Sequence, residues 1–283
     1  EIRKNPEPSP PRLIPAFKER DYKNLKITLR IKNKVKSIIF KAAPFLGFVF
    51  PKAYEISYRF KRGTPHTTAL KHAIESNSWA YHANDWKALP VAAEAARLKN
   101  ARLVLDLHEY SPEQYEDRHF RMFDARMISY LIRKYAPLVD ASTTVADMIA
   151  KKYKRNFYLD PIVVYNAPEK KELTTARIDP DNIRLIHHGT ASERRSPKLM
   201  IEAIAQCNQC YSLHFMLLEN DYLNELKKLA EEIAPGRVTF HKTVPPEGIV
   251  DYLSDFDIGF YILPPLNFNQ LAALPNKFFD FIN

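Results

Sequence analysis

The sequence predicts an α/β chain of two domains, each a parallel sheet covered by helices. Three observations predict it. The 283 residues suit two domains of roughly 100–200 residues each. Hydrophobic residues at 46% supply a sizeable core, while charged residues stay at 27%. Strand-like and helix-like segments also alternate, in two runs on either side of an aperiodic stretch.

The first run opens at Thr64-Pro65, which starts a helix to about Ser76. Trp79-Ala80-Tyr81-His82-Ala83 reads as a short strand ending at Asn84-Asp85, and residues 87–99 as an Ala-rich helix. Arg102 to Leu107 is a buried-type strand followed by a polar turn at His108-Glu109. A long helix over 116–135, a strand at Ala141–Thr144, a helix over about 146–155 and a strand at Ile162–Tyr165 complete the run. Periodicity is then lost as far as Asn182. The second run places strands at 183–188, 213–218, 238–240 and 258–263, with helices over 197–207, 221–234, about 246–254 and from near Pro275. The expected organisation is a basic segment 1–63 belonging to the first domain, its remainder at 64–168, a linker at 169–182 and a second domain at 183–283. Each domain is expected to be Rossmann-like, and the two to face a cleft. Ligands in such sheets sit outside the carboxyl ends of the strands, so the turns after strands matter most.

Composition narrows the function classes. Two cysteines, Cys207 and Cys210, exclude a disulfide framework and suggest a reducing compartment. The longest apolar run, Ala42 to Phe50, is interrupted by Pro44 and Gly47 and falls short of the ~20 residues a bilayer span needs. No apolar leader stands at the start, although Glu1 is no translation start. A cytoplasmic location is the expectation. Glycine, at six residues, is about 2% against a usual ~7%, and neither a Walker loop nor a dinucleotide fingerprint is present.

The net charge of +9 is uneven. Residues 1–75 hold 17 Lys+Arg and 6 Asp+Glu, whereas the rest holds 25 and 27. Residues 1–15 are Pro-rich and read as an extended lead-in. Residues 17–42 interleave Lys and Arg with an apolar stripe (Ile31, Val35, Ile38, Ile39, Ala42) at helical spacing. Two readings of this stretch stay open: an ordinary solvated face over a core stripe, or docking to the inner face of an anionic membrane. Nucleic acid is not an expected partner, because no recognition module accompanies the charge.

Three turns could carry chemistry. His108 and Glu109 follow a strong apolar strand, where His108 could transfer a proton or bond a hydroxyl; the alternative is that Asp106 and His108 cap a neighbouring helix. The second turn runs from His187 to Lys198. Gly189 permits close backbone approach, and Arg194, Arg195 and Lys198 can neutralise a diphosphate, with Ser196 as N-cap and Pro197 at N1 of the next helix. A charged surface loop is the other reading. The paired histidines lack further ligands at suitable spacing, so no metal is expected there. In the third turn, Pro275 starts a helix carrying Asn276, Lys277 and Asp280; Lys277 adds charge, and Asp280 could accept from a diol or merely complement the helix dipole.

Five segments together resemble the family 4 retaining glycosyltransferases, which have the two-Rossmann GT-B fold. Tyr81-His82-Ala83-Asn84-Asp85-Trp86-Lys87-Ala88-Leu89-Pro90 looks like a HANDxxALP turn, and Leu105-Asp106-Leu107-His108-Glu109 like a D-x-HE segment. Val163 to Pro168 is similar to the entry to the interdomain linker. His188-Gly189-Thr190-Ala191-Ser192 with Arg195 looks like the donor-diphosphate loop, and Pro275-Asn276-Lys277-Phe278-Phe279-Asp280 is similar to PNKxFE. The resemblance covers roughly residues 64–283. It implies transfer of a sugar from a nucleotide diphosphate sugar to the hydroxyl of a glycan or lipid-linked acceptor, with retention and without a required metal or cofactor. It further implies an acceptor-side first domain and a donor-binding second one. By it, Arg195 binds the donor diphosphate with Arg194 or Lys198 as helper, Gly189, Asn276 and Lys277 belong to the donor site, Asp280 holds the ribose, and His108 and Glu109 lie at the catalytic side.

Departures accompany it. Ala272 stands where the first Glu of an E-x7-E motif falls, Asp280 is shorter than Glu, and Lys198 is not at the donor-lysine spacing. The opening strand and Gly-rich loop are missing and the last helix pattern is cut at Asn283, so the chain is expected to be incomplete at both ends. Two other functions stay open: a nucleotide-sugar 2-epimerase of the same architecture, for which the basic segment is gratuitous, and a non-catalytic protein that docks on anionic surfaces.

Overall fold

The computed structural model of the chain describes residues 46–47, 49–173 and 177–283. Residues 17–42, where the basic amphipathic helix is expected, lie outside the described residues. The chain divides into two compact units: the described residues up to Thr144 with Ala150–Ile162, and Val145–Ile149 with Val163–Asn283.

The first unit begins with helix α1, Ala53–Glu75, which starts well before Thr64 and runs through Gly63 and Pro65. An interior proline costs a helix about 3 kcal/mol, so tertiary contacts must outweigh local preference. They do so at the N-terminal half: Tyr54 and Tyr58 are buried, Tyr58 donates to the Lys87 carbonyl at 2.7 Å, Glu55 pairs with Lys134 at 2.6 Å and Arg59 with Glu94 at 2.7 Å. Strand β1 (Ala80–Asn84), helix α2 (Asp85–Lys99), strand β2 (Arg102–Leu107), helix α3 (Ala125–Tyr135), strand β3 (Ala141–Thr144), helix α4 (Asp147–Phe157) and strand β4 (Ile162–Val163) follow. The sheet is parallel in the order β1-β2-β3-β4, with Asn84 opposite Asp106 and Asp106 opposite Thr143. Parallel neighbours need long crossovers, and helices supply them. Leu103, Leu105 and Leu107 are at most 1% exposed; α2 packs on β1 and β2, while α1 and α3 pack on α2.

The helix expected over 116–135 is present without a break over 118–135, with a π-helical segment inside it. A 3₁₀ turn at Ser111–Glu113 is followed by a π-helical segment at Phe120–Asp124, which feeds α3. The Asp117 carboxylate accepts the Phe120 amide at 2.8 Å and so caps the helix that begins at residue 118.

The second unit contains β5 (Ile183–Thr190), α5 (Pro197–Gln206), β6 (Tyr211–Leu218), α6 (Asp221–Ile233), β7 (Val238–His241), α7 (Ile249–Leu253), β8 (Ile258–Gly259), α8 (Phe268–Ala272) and α9 (Asn276–Ile282). Its sheet is parallel in the order β7-β6-β5-β8. Met200 and Ile201 of α5, Leu213, Phe215 and Leu217 of β6 and Leu226 of α6 form its core. The strand expected over 258–263 pairs only at Ile258–Gly259, after which the chain stays extended and the Phe260 amide bonds the Ile186 carbonyl at 2.8 Å. Gly259 is required there, because a Cβ would run into the Phe281 ring. Helix α8 has no counterpart among the expected elements. Ser196 stands at the N-cap position of α5 but makes no side-chain cap bond; its φ of 51° is left-handed backbone, contrary to the ordinary cap geometry. No described helix is long and apolar enough to cross a membrane.

Candidate functional site

In the second unit the carboxyl end of the central strand β5 gathers four of the expected residues. Gly189 has a φ of +117°, a conformation L side chains rarely adopt, and it lies under Lys277. A Cβ at this position would meet the Lys277 side chain, whose Cε is 3.0 Å away. Arg195 ends the 3₁₀ turn Glu193–Arg195 and donates to the Tyr261 hydroxyl. Its guanidinium carbon lies 5.5 Å from the Tyr261 ring centroid, and the Lys277 ammonium lies 5.8 Å from the same centroid. One aromatic ring therefore brings together cations from two separate segments.

These cations are held at a cost. Burial lowers the pKa of Lys277, the Arg195 charge lowers it further, and only Asp280 opposes. Burial likewise lowers that of Arg195. Like charges removed from water in this way favour an anion beside them. Asp280 responds oppositely: burial raises its carboxyl against the pull of Lys277.

Two buried histidines of β5 floor the group. His187 stacks on Tyr261 with ring planes 7° apart, and its Nδ1 lies 2.8 Å from the Phe260 carbonyl. That contact fixes the Nδ1–H tautomer, because a carbonyl can only accept. Burial, Lys277 and Arg195 lower its pKa to about 4, so the ring is neutral at pH 7. His188 is likewise lowered to about 4 by burial and by Lys277. Its Nε2 is 3.3 Å from Asp280 Oδ2 yet makes no hydrogen bond, and the neutral ring gives no ion pair at pH 7. The loop is tied down by Asn220, which caps α6 and donates to the Ala191 carbonyl at 2.8 Å.

The remaining expected residues are placed differently. Lys198 is drawn to α6, 3.2 Å from Glu225 and 5.1 Å from the Tyr222 ring centroid. Arg194 is exposed, and Asn276 accepts from Asn166 at 2.9 Å. Tyr261 was not anticipated. It falls in a stretch read as strand, where an aromatic residue signals core packing.

The first unit has a polar edge of its own. Asp106 accepts from Thr143 at 2.6 Å, and His108 Nε2 is 3.0 Å from its other oxygen. Burial would raise the Asp106 carboxyl, but the bonds from Thr143 and His108 hold it below the ordinary value. Asp106 therefore joins two strand ends and orients His108, and neither caps a helix. The His108 side chain is 53% exposed, so a ligand can reach it. The Glu109 carboxylate accepts from Gln114 and is pushed up, first by burial and then by the Asp85 charge. Asp85 is a further participant, outside the turn itself. Its φ of 64° is left-handed, and its Oδ1 accepts from the Trp86 amide and from Ser111 Oγ. The Tyr153 hydroxyl, donating to the Glu109 carbonyl at 2.8 Å, pins the same turn from α4.

No protein-family model and no curated protein matches the chain. Solved structures do. HepE from Anabaena, solved with UDP and glucose, matches with a TM-score of 0.52 at 19% identity, over 71% of this chain and 58% of that one. Sucrose-phosphate synthase from Thermosynechococcus elongatus matches at 0.53 and 15%, over 70% and 55%. The lipopolysaccharide outer core galactosyltransferase WaaB matches at 0.50 and 13%, over 73% and 56%. The chain spans somewhat over half the length of these three proteins. In its two parallel four-stranded sheets flanked by helices, the chain shares the fold of GT-B glycosyltransferases.

Proposed function

We propose that the chain transfers a sugar from a nucleotide diphosphate sugar to a hydroxyl acceptor, a glycan or lipid-linked molecule, with retention at the anomeric carbon. The observation that carries this reading is the pairing of Arg195 and Lys277 on Tyr261 over Gly189. In transfer, the bond from the anomeric carbon to the terminal phosphate oxygen breaks, and the acceptor oxygen takes its place as its proton leaves. Negative charge builds on the departing diphosphate. Preorganised cations in a desolvated site stabilise such charge more than they stabilise the bound donor. Two cations already neutralise that charge, which supports a reaction needing no metal. Asp280, one helical turn beyond Lys277, is assigned the ribose diol. His108 and Glu109 are assigned to the acceptor side, where the exposed imidazole oriented by Asp106 can take the acceptor proton.

HepE was solved with UDP and glucose and WaaB is a galactosyltransferase; both fit this reading. A 2-epimerase would use the same anion site, so product analysis decides. Incubated with nucleotide sugars and hydroxyl acceptors, the protein is expected to release nucleoside diphosphate only as glycoside with retained configuration forms. Interconversion of free nucleotide sugars without acceptor would overturn this in favour of the epimerase. Docking of residues 17–42 on an anionic membrane face, on the cytoplasmic side, is part of the proposal and rests on the charge pattern alone.

A further inference from the structure

Cys207 and Cys210, the chain's two cysteines, take no part in the chemistry assigned above. They form a Cys-x-x-Cys pair in the turn between α5 and β6. Both are free thiols; Cys207 is exposed and Cys210 half-buried. Spacing alone decides little, because an extended backbone would splay such a pair. Here the backbone is bent and fixed. Cys207 closes α5, its amide donating to the Ala203 and Ile204 carbonyls at 3.1 and 3.2 Å. The Tyr211 amide returns to the Asn208 carbonyl at 3.1 Å, a turn with Cys210 at one of its two central positions. The Cys210 carbonyl accepts from the Ile183 amide at 2.7 Å, which ties the turn to the start of β5.

Arg237, just before β7, holds the bend. Its guanidinium donates to the carbonyls of Cys207 at 3.1 Å, Asn208 at 2.7 Å and Tyr211 at 3.0 Å. One planar fork reaches three carbonyls only where they lie close together. An extended run would carry the Tyr211 carbonyl roughly 13 Å from that of Cys207, so the chain doubles back between them. That bend is what a disulfide between residues three apart requires, since its Cα atoms must come within about 7 Å. We infer that Cys207 and Cys210 are a reversible dithiol site, which closes to an intramolecular disulfide on reaction with a low-molecular-weight disulfide such as oxidised glutathione. The exposed Cys207 thiolate attacks one sulfur of the oxidant, forming a mixed disulfide and releasing one glutathione thiolate. Cys210 then attacks the Cys207 sulfur and expels the second. The two protein thiols lose two electrons and two protons, and the S–S bond of the oxidant is reduced to two thiols. The pair lies at the amino ends of β5 and β6, whereas Arg195 and Lys277 gather at the carboxyl end of β5. It therefore stands apart from the glycosyl-transfer reading.

Mass and thiol labelling test this directly. The fully reduced chain is treated with oxidised glutathione at mildly alkaline pH and followed by intact mass spectrometry, maleimide labelling and non-reducing gel electrophoresis. The native chain is expected to lose the mass of two hydrogens together with both maleimide-reactive thiols, and to regain them with dithiothreitol. Cys210→Ser cannot close the ring and is expected to stop with one glutathionyl group on Cys207. The folded turn already holds the backbone in the closed arrangement, so the oxidised chain is expected to melt higher than the reduced one. Unchanged thiols, glutathionyl groups retained on both cysteines of the native chain, or disulfide-linked dimers in place of ring closure would overturn the inference. So would an oxidised chain that melts at or below the temperature of the reduced one, because ring closure would then be working against the fold.

Discussion

Lys277 reaches from the first turn of α9 onto the backbone of Gly189 at the end of β5, where a Cβ would meet its ammonium group. Residues 88 positions apart in sequence thereby become one surface. Gly189→Ala is expected to displace the ammonium and to strain a φ of +117°, costing about 1–3 kcal/mol. Chemical denaturation gives the stability change, and nucleoside diphosphate binding should weaken in the same variant. Unchanged stability and binding would mean that the contact has no consequence.

Three histidines of the second unit are expected to make the protein acid-sensitive. His187, His188 and His214 have folded pKa values lowered to about 4 from 6.5, burial being the first cause in each. The unfolded chain therefore binds more protons between these values, and stability rises with pH through that window. Stability is fully present above about 6.5 and falls as pH drops toward 4, by up to roughly 3 kcal/mol for the fully buried His187 and by less for the partly exposed His214. Denaturation midpoints measured from pH 7.5 to 4 should decline, and His187→Gln should flatten the decline. A midpoint constant across that range would contradict the buried neutral assignment.

Glu109 is held with a raised carboxyl by burial and by Asp85. Its folded value lies above its unfolded one, so its contribution to stability is greatest at low pH and is lost as pH rises through the folded value. Glu109→Gln is accordingly expected to melt higher than the native chain at pH 7.5 while losing about a hundredfold or more in transfer rate. A variant that transfers normally would remove Glu109 from the chemistry.

Much of this was legible in the sequence. Strand-to-helix alternation and the turns after 107, 190 and 274 locate the polar ends of both sheets, because parallel sheets demand buried strands and exposed crossovers. Geometry was not legible. The sequence pairs Arg195 with Lys198 as neighbours, yet Glu225 and Tyr222 hold Lys198 on the helix surface while Tyr261 holds Arg195. Tyr261 is a polar clamp inside an apolar run, a role no local pattern marks. Pro65 reads as a helix start because local propensity ignores Glu55–Lys134 and Arg59–Glu94, the long-range pairs that extend α1. The left-handed Asp85 shows the same limit: its conformation is set by hydrogen bonds to Trp86 and Ser111, the latter 26 residues away.

The proposed diphosphate clamp requires Arg195 and Lys277 to act together. Thermal unfolding of the full chain should be compared with nucleoside diphosphate and nucleoside monophosphate, in the native protein, Arg195→Ala and Lys277→Met. The diphosphate is expected to raise the native melting temperature by several degrees, consistent with about 2–3 kcal/mol at a hundredfold excess over Kd, and the monophosphate by much less. Neither variant should shift, while Lys277→Met, relieved of a buried like charge, should melt no lower than the native chain without ligand. An equal diphosphate shift in the native protein and both variants would contradict the account.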